Sequence, residues 1–265
     1  MRVIPRTPRT RFALLAALLI VIAGVTACAV LRPHEVAVQP CIDHEFEGDD
    51  FVVCTFDTRQ SEFRLIAAGP DRAYLRTFRA LREALGDDAE RVRFAMNAGM
   101  FNDAGAPIGL YVQNGQRLHP IRTTEGPGNF HMKPNGVFSL DASGVVRVEE
   151  SEAFIARGEE PLWATQSGPM LVLNGALHPR IQHDGVSRLM RNGVGVRDAH
   201  TAFFVISEDA VSFGKFARFF RDQLHCPNAL FLDGTVSSLW APGLHRMDAG
   251  RPIGPMAVVL ERARR

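Results

Sequence analysis

The chain has 265 residues, 46% of them hydrophobic and 22% charged, a balance that excludes a disordered chain and suits one folded domain or at most two. Its formal net charge is +1, but Arg2, Arg6, Arg9 and Arg11 fall at the extreme N-terminus, and the rest of the chain carries 26 basic residues against 29 acidic ones, near −3. No basic face is demanded by that charge, and nucleic acid is excluded as an expected partner.

Behind these arginines, Phe12 to Leu31 is a run without a charged residue, which has to be read as a targeting segment before any fold argument begins. Inside it, Val25-Thr26-Ala27-Cys28 matches the bacterial lipobox, where the signal is cut before a cysteine that then receives lipid. The expected division is a lipoprotein-type signal peptide over 1–27, a tether over 28–40 and a folded body over 41–265. An uncleaved anchor is the alternative, because the same run is long enough to cross a hydrocarbon core of about 30 Å. In both cases the arginines stay inside and the body is exported to the periplasmic face of the envelope. Ala29 lacks the aspartate that commonly retains lipoproteins at the inner membrane, which favours the outer one. In an oxidising compartment Cys41 and Cys54, close in sequence, are expected to form a disulfide. Cys226 is left as a small buried hydrophobe.

Taken in order, Phe51–Phe56 and Glu62–Ala67 have strand composition and are expected to be joined across residues 57–61. Apolar Tyr74, Leu75, Phe78, Leu81 and Leu85 recur at helical spacing, with Asp71 as the N-cap and Gly86 as the stop. The arginines between them read as a solvated face and not as a phosphate patch. A strand at Val92–Met96 ends in the polar turn that begins at Asn97. Hairpins are expected at Asn114-Gly115 and Asn174-Gly175. Gln166 and Ser167 interrupt an apolar segment, so they need buried partners or face a cavity. The segment Arg191–Val196 leads into a strand at Thr201–Ile206, which is followed by a second amphipathic helix through Phe213, Phe216, Phe220 and Leu224. The buried run Ala229–Leu232 then stops at Asp233-Gly234, and a last strand spans Met256–Leu260. The expected fold is α+β: a single domain with a mixed, largely antiparallel sheet and two main amphipathic helices.

Metal and nucleophile templates fail. There is no HExxH, no paired Cys-x-x-Cys, no EF-hand loop and no Gly-x-Ser-x-Gly, and Gly193 and Gly195 lack the rest of a dinucleotide fingerprint. No metal site is called; only a divalent ion held by dispersed oxygens stays open. What remains is a set of polar residues at strand ends: Asn97, Lys133, Asn135, Gln166, Ser167, Arg191 and Asp233. A carboxylate, two cations and several amides suit a ligand that is both anionic and rich in hydroxyls.

The ordered series Asn97-Ala-Gly-Met-Phe101, Asn129-Phe130 through Lys133-Pro-Asn-Gly-Val137, Gln166-Ser-Gly-Pro169, Arg191-Asn-Gly-Val-Gly195 and Phe231-Leu-Asp-Gly234 resembles the phosphodiester glycosidase family. That family includes the lysosomal uncovering enzyme, which removes N-acetylglucosamine from a phosphodiester on mannose; within the family the resemblance is to exported bacterial members. It implies a hydrolase that cuts between a sugar anomeric carbon and a phosphodiester oxygen, with a sugar-1-phosphodiester or phosphorylated glycan as its partner and no cofactor. Carried onto this chain, it implies catalytic roles for Asp233, Arg191 and Asn97, with Arg191 holding the phosphate and Asp233 facing the sugar. Substrate binding falls to Lys133, Asn135, Gln166, Ser167, Gly168, Gly234 and a serine that is Ser237 or Ser238. The family often has a second glycine where this chain has Thr235, which narrows the approach to Asp233. Glu208 is a candidate second carboxylate, with a solvated strand-end residue as its simpler reading. A non-catalytic envelope lipoprotein that binds anionic glycans is the alternative function.

Overall fold

A computed structural model describes residues 39–263; the signal segment, Cys28 and most of the tether lie outside them. The strands are β1 (Cys41–Phe46), β2 (Asp49–Asp57), β3 (Ser61–Ile66), β4 (Val92–Asn97), β5 (Tyr111–Gln113), β6 (Gln116–His119), β7 (Gly136–Leu140), β8 (Val146–Glu150) and β9 (Trp163–Ser167). They continue with β10 (Met170–Leu173), β11 (Ala176–Leu177), β12 (Asn192–Asp198), β13 (Thr201–Ser207), β14 (Asn228–Phe231), β15 (Leu239–Ala241), β16 (Arg246–Met247) and β17 (Met256–Glu261). Among the described residues three α-helices accompany them: α1 (Phe78–Leu85), α2 (Ser151–Arg157) and α3 (Phe213–Arg218).

The strands make three antiparallel sheets. The largest runs β1-β2-β13-β12-β14-β10-β11, the second β16-β15-β4-β17-β3, and the third β6-β5-β9-β7-β8. Alternation along each strand sorts its side chains between two cores. In β2, β13 and β14, Val52, Cys54, Phe204, Ile206 and Leu230 point into a central core shared with Phe63, Phe94 and Met96 of the second sheet and Phe138 of the third. Their neighbours Phe51, Val53, Phe203, Val205 and Phe231 point the other way, onto Phe216, Phe219 and Phe220 in and after α3. The second sheet is backed in the same manner by Phe78 and Leu81 of α1, and the third by Phe154 of α2. Each sheet thus faces the common core and carries one helix on its back, an α+β arrangement.

Close approach of α3 to the large sheet needs the glycines of β12. A Cβ on Gly195 would lie 2.5 Å from the Phe220 ring and 2.8 Å from Cys226 Sγ, and one on Gly193 would lie 3.0 Å from the Phe216 ring. The Gly-Val-Gly-Val alternation therefore sends Val194 and Val196 into the central core and leaves the other face flat for phenylalanine. Cys226 is buried there, and burial pushes its thiol up to about 12, as suits a packing residue.

The Cys41–Cys54 disulfide is formed, between residues directly opposite in the β1–β2 pair. Two expectations change. The strands on either side of residues 57–61 are not a hairpin pair: β2 lies beside β1 and β13 in the large sheet, whereas β3 lies beside β17 in the second. The sharp turn there carries the chain between sheets, because both strands already have longer partners. The first helix also starts later, at Phe78, with the Thr77 hydroxyl accepting from Ala80 N. Asp71 instead accepts from Ala73 N within a loop that returns to Ala67 through a Leu75 N to Ala67 O bond. A local aspartate turn thus competes with the helix and wins over its first half.

Candidate active site

The three sheets meet at one rim, and each delivers a polar residue to it: Asn97 from the end of β4, Ser167 from the end of β9, and Asn192 with Asp233 from the adjoining ends of β12 and β14. The β12–β14 register pairs Gly193 with Phe231. Leu232 N donates to Asn192 O at 3.0 Å, so the pairing runs one residue further and brings Arg191 and Asp233 to the same end of the sheet.

Asn97, 1% exposed, ties this rim together. Its Nδ2 donates to the Asp233 carbonyl oxygen at 2.9 Å, and its Oδ1 accepts from Ser238 N at 2.9 Å and from Asn192 Nδ2 at 3.0 Å. Asn192 Nδ2 also donates to the Asn97 carbonyl at 2.8 Å, which leaves the fully buried Asn192 Oδ1 as an acceptor without a protein donor. An unpaired buried amide oxygen is costly unless something else meets it. Ser167 Oγ donates to Leu232 O at 3.1 Å and fixes the residue just before Asp233.

Asp233 follows the buried run of β14 and opens a short turn over Gly234–Val236. Burial pushes its carboxyl up to about 6, against the pull of a hydrogen bond from Thr235 N, and no cation contributes to the shift. Thr235 is exposed, so the residue that departs from the family pattern supports Asp233 through its backbone while its side chain stands at the surface. Ser237 Oγ donates to Gly234 O and Ser238 Oγ to Val236 O, which stiffens the turn.

Arg191 is the largest fully buried side chain and has no carboxylate partner among the described residues. Its Nε donates to Val211 O at 2.8 Å and its Nη2 to Ser187 O at 2.9 Å, while the guanidinium stacks 3.7 Å above the Phe213 ring. Burial lowers its pKa to about 10, and it remains a cation at neutral pH. Its donors hold the segment from Ser187 against α3.

The other sequence candidates lie behind the rim. Gln166 is 1% exposed and saturated: Oε1 accepts from Leu110 N and Arg122 N, and Nε2 donates to Arg122 O and Ser151 Oγ. It binds the β5 entry to β9 and leaves no atom for a ligand. Asn135 Nδ2 donates to Phe130 O, and Gly168 passes so close that a Cβ on it would lie 2.8 Å from Asn135 Cβ. Lys133 is half-buried, in the same loop. Glu208 pairs with Arg246. No group of three His, Cys, Asp or Glu able to hold a metal occurs among the described residues.

Beside the rim runs a cleft in two joined lobes of about 300 and 380 Å³, which share Ser238, Asp248, Ala249, Gly250 and Arg251. Thr235, Val236 and Ser237 form one wall, Met190 flanks it, and Arg76, Thr77 and Arg79 at the start of α1 form the far side. Asn192 lies inside the Arg191-Asn-Gly-Val-Gly195 motif but received no role from it, and nothing in the sequence marked Arg251; the signals are an orphaned acceptor and a shared cleft, both properties of the folded chain.

The rim thus presents a half-buried carboxylate without a cationic partner where the three sheets meet. The phosphodiester glycosidase family model matches residues 90–260, and the chain belongs to that family. It is 38% identical over 155 residues to the Escherichia coli (strain K12) uncharacterized protein YigE; the match covers 58% of this chain and 59% of that protein, less than two thirds of its length. The fold is similar to the catalytic domain of zebrafish N-acetylglucosamine-1-phosphodiester alpha-N-acetylglucosaminidase auto-inhibited by its pro-peptide (TM-score 0.59, 13% identity, 84% of this chain and 82% of that one). It is also similar to a hypothetical protein from Synechocystis (TM-score 0.52, 16% identity, 84% and 61%). At those identities the two structures speak for the fold.

Proposed function

We propose that the protein hydrolyses glycosyl phosphodiesters between the anomeric carbon and the phosphodiester oxygen. The observation that carries this reading is Asp233, a carboxylate without a cationic partner and raised to about 6, at the meeting point of the sheets of a phosphodiester glycosidase family member. The bond from the anomeric carbon to oxygen breaks, its electron pair stays on the phosphate, and water supplies the new anomeric hydroxyl. The departing phosphomonoester is a stable anion that needs little protonation. Asp233, ionised above pH 6, takes the proton of the attacking water and passes it to solvent. Asn192, fully buried, acts as a positioning residue through its two bonds to Asn97. Asn97 and Ser167 act as positioning residues, since their own polar atoms already hold the backbone of Asp233 and Leu232. Arg191 likewise supports the rim through Ser187 and Val211. The name of the structurally similar zebrafish enzyme makes N-acetylglucosamine the first sugar to try.

Which bond breaks is decided by hydrolysis in ¹⁸O-labelled water. Label in the released sugar and none in the phosphomonoester is expected; label in the phosphomonoester would mean cleavage at phosphorus and end this reading.

A further inference from the structure

The cleft beside the rim is basic in a particular way. Its two lobes are lined by Arg76, Arg79, Arg246 and Arg251 against one acid, Asp248. Asp248 is spent: its carboxylate accepts from Leu239 N and from Arg246 Nε and Nη2, each at 2.9 Å. Arg246 is held by Asp248 and Glu208, and Arg76 donates to Ile253 O and Asp103 O, both at 3.0 Å, with its guanidinium over Phe101. Arg79 and Arg251 differ. Both are exposed, and neither side chain has a hydrogen bond or ion pair among the described residues, yet they come from distant parts of the chain to line the same lobe. Two unneutralised guanidiniums converging on a concave surface make a site for an anion with several oxygens. Ser238 lines both lobes, and its N–H donates to the Oδ1 of Asn97, whose Nδ2 holds the Asp233 carbonyl, so the wall of this cleft is tied to the backbone of the candidate carboxylate.

We propose that Arg79 and Arg251 form the subsite for the phosphate of the leaving group, which orients the substrate with its phosphomonoester half between α1 and the 247–251 loop and its sugar toward Asp233. This rests on the glycosyl phosphodiester reading for the identity of the anion, although the anion site itself is separable from turnover. It also accounts for an arginine on α1 that sequence periodicity reads as mere solvation.

The test uses the full-length chain, the double variant Arg79→Ala/Arg251→Ala and the edge-strand control Arg117→Ala. Binding of glucose 6-phosphate is measured by calorimetry, and KM and kcat are measured on a methyl phosphodiester of N-acetylglucosamine 1-phosphate. The expected result is at least a roughly tenfold loss of glucose 6-phosphate affinity in the double variant, a matching rise in KM and no change in the control. Because both side chains are exposed, the double variant should keep the wild-type melting curve. Arginine-dependent binding without turnover of any phosphodiester keeps the subsite and removes the hydrolytic reading. Turnover with wild-type KM in the double variant does the reverse, and failure of the wild type to bind glucose 6-phosphate at about 10 mM removes the subsite alone.

Discussion

At the scale of single residues, Asp233 is where stability and chemistry oppose each other. An unfolded aspartate titrates at about 3.9, and the folded carboxyl is raised to about 6. Between those values the native state keeps a proton that the unfolded chain has lost, so this residue makes stability fall as pH rises through the window. The predicted consequence is that Asp233→Asn is more stable than wild type by about 1–3 kcal/mol at pH 8 and by little at pH 4, measured by urea unfolding. An equal difference at both pH values would show that the carboxyl is not desolvated. Residue identity was only partly legible beforehand. A buried run ending in Asp-Gly marks position 233, but nothing local tells Gln166 from Asn192. Both are buried amides, and only their distant partners make one saturated and leave the other with a free acceptor.

The elements were more legible than the way they pair. Alternation and hydrophobic runs identify β2, β4, β13, β14 and β17, because each is buried on both faces and reads as an apolar segment with sharp ends. Which sheet a strand joins is set by long-range partners, and so residues 57–61 look like a hairpin turn while carrying the chain from one sheet to another. The helices illustrate the same limit. Apolar spacing from Tyr74 runs into α1, but backbone bonds of the Asp71 loop claim the first turns. The Gly193 and Gly195 pair, too thin for a nucleotide motif, has its physical reason in the phenylalanines of α3. Gly195→Ala should cost about 1–3 kcal/mol through overpacking against Phe220 and Cys226. A wild-type urea midpoint for that variant would contradict the packing described here.

For the molecule as a whole, three sheets around one core place their rim residues within a few hydrogen bonds of one another, although Asn97, Ser167, Asn192 and Asp233 come from all three sheets. The ordered motifs in the sequence pointed to this convergence because a shared family pattern encodes it, while composition alone did not. The Cys41–Cys54 disulfide suits an oxidising compartment, in line with the proposal that the body is exported and lipid-anchored through Cys28. Metabolic labelling with a fatty acid should mark the wild type and not Cys28→Ser; label retained in the variant, or absent from both, rules the anchor out.

The most direct measurement is steady-state hydrolysis of the N-acetylglucosamine phosphodiester by the full-length chain and its Asp233→Asn variant from pH 5 to 8. Wild-type kcat/KM should climb with an apparent pKa of about 6, and the variant should lose roughly 10² to 10⁴-fold while remaining folded. A variant that turns over at the wild-type rate, or a flat wild-type profile, would contradict the role assigned to Asp233.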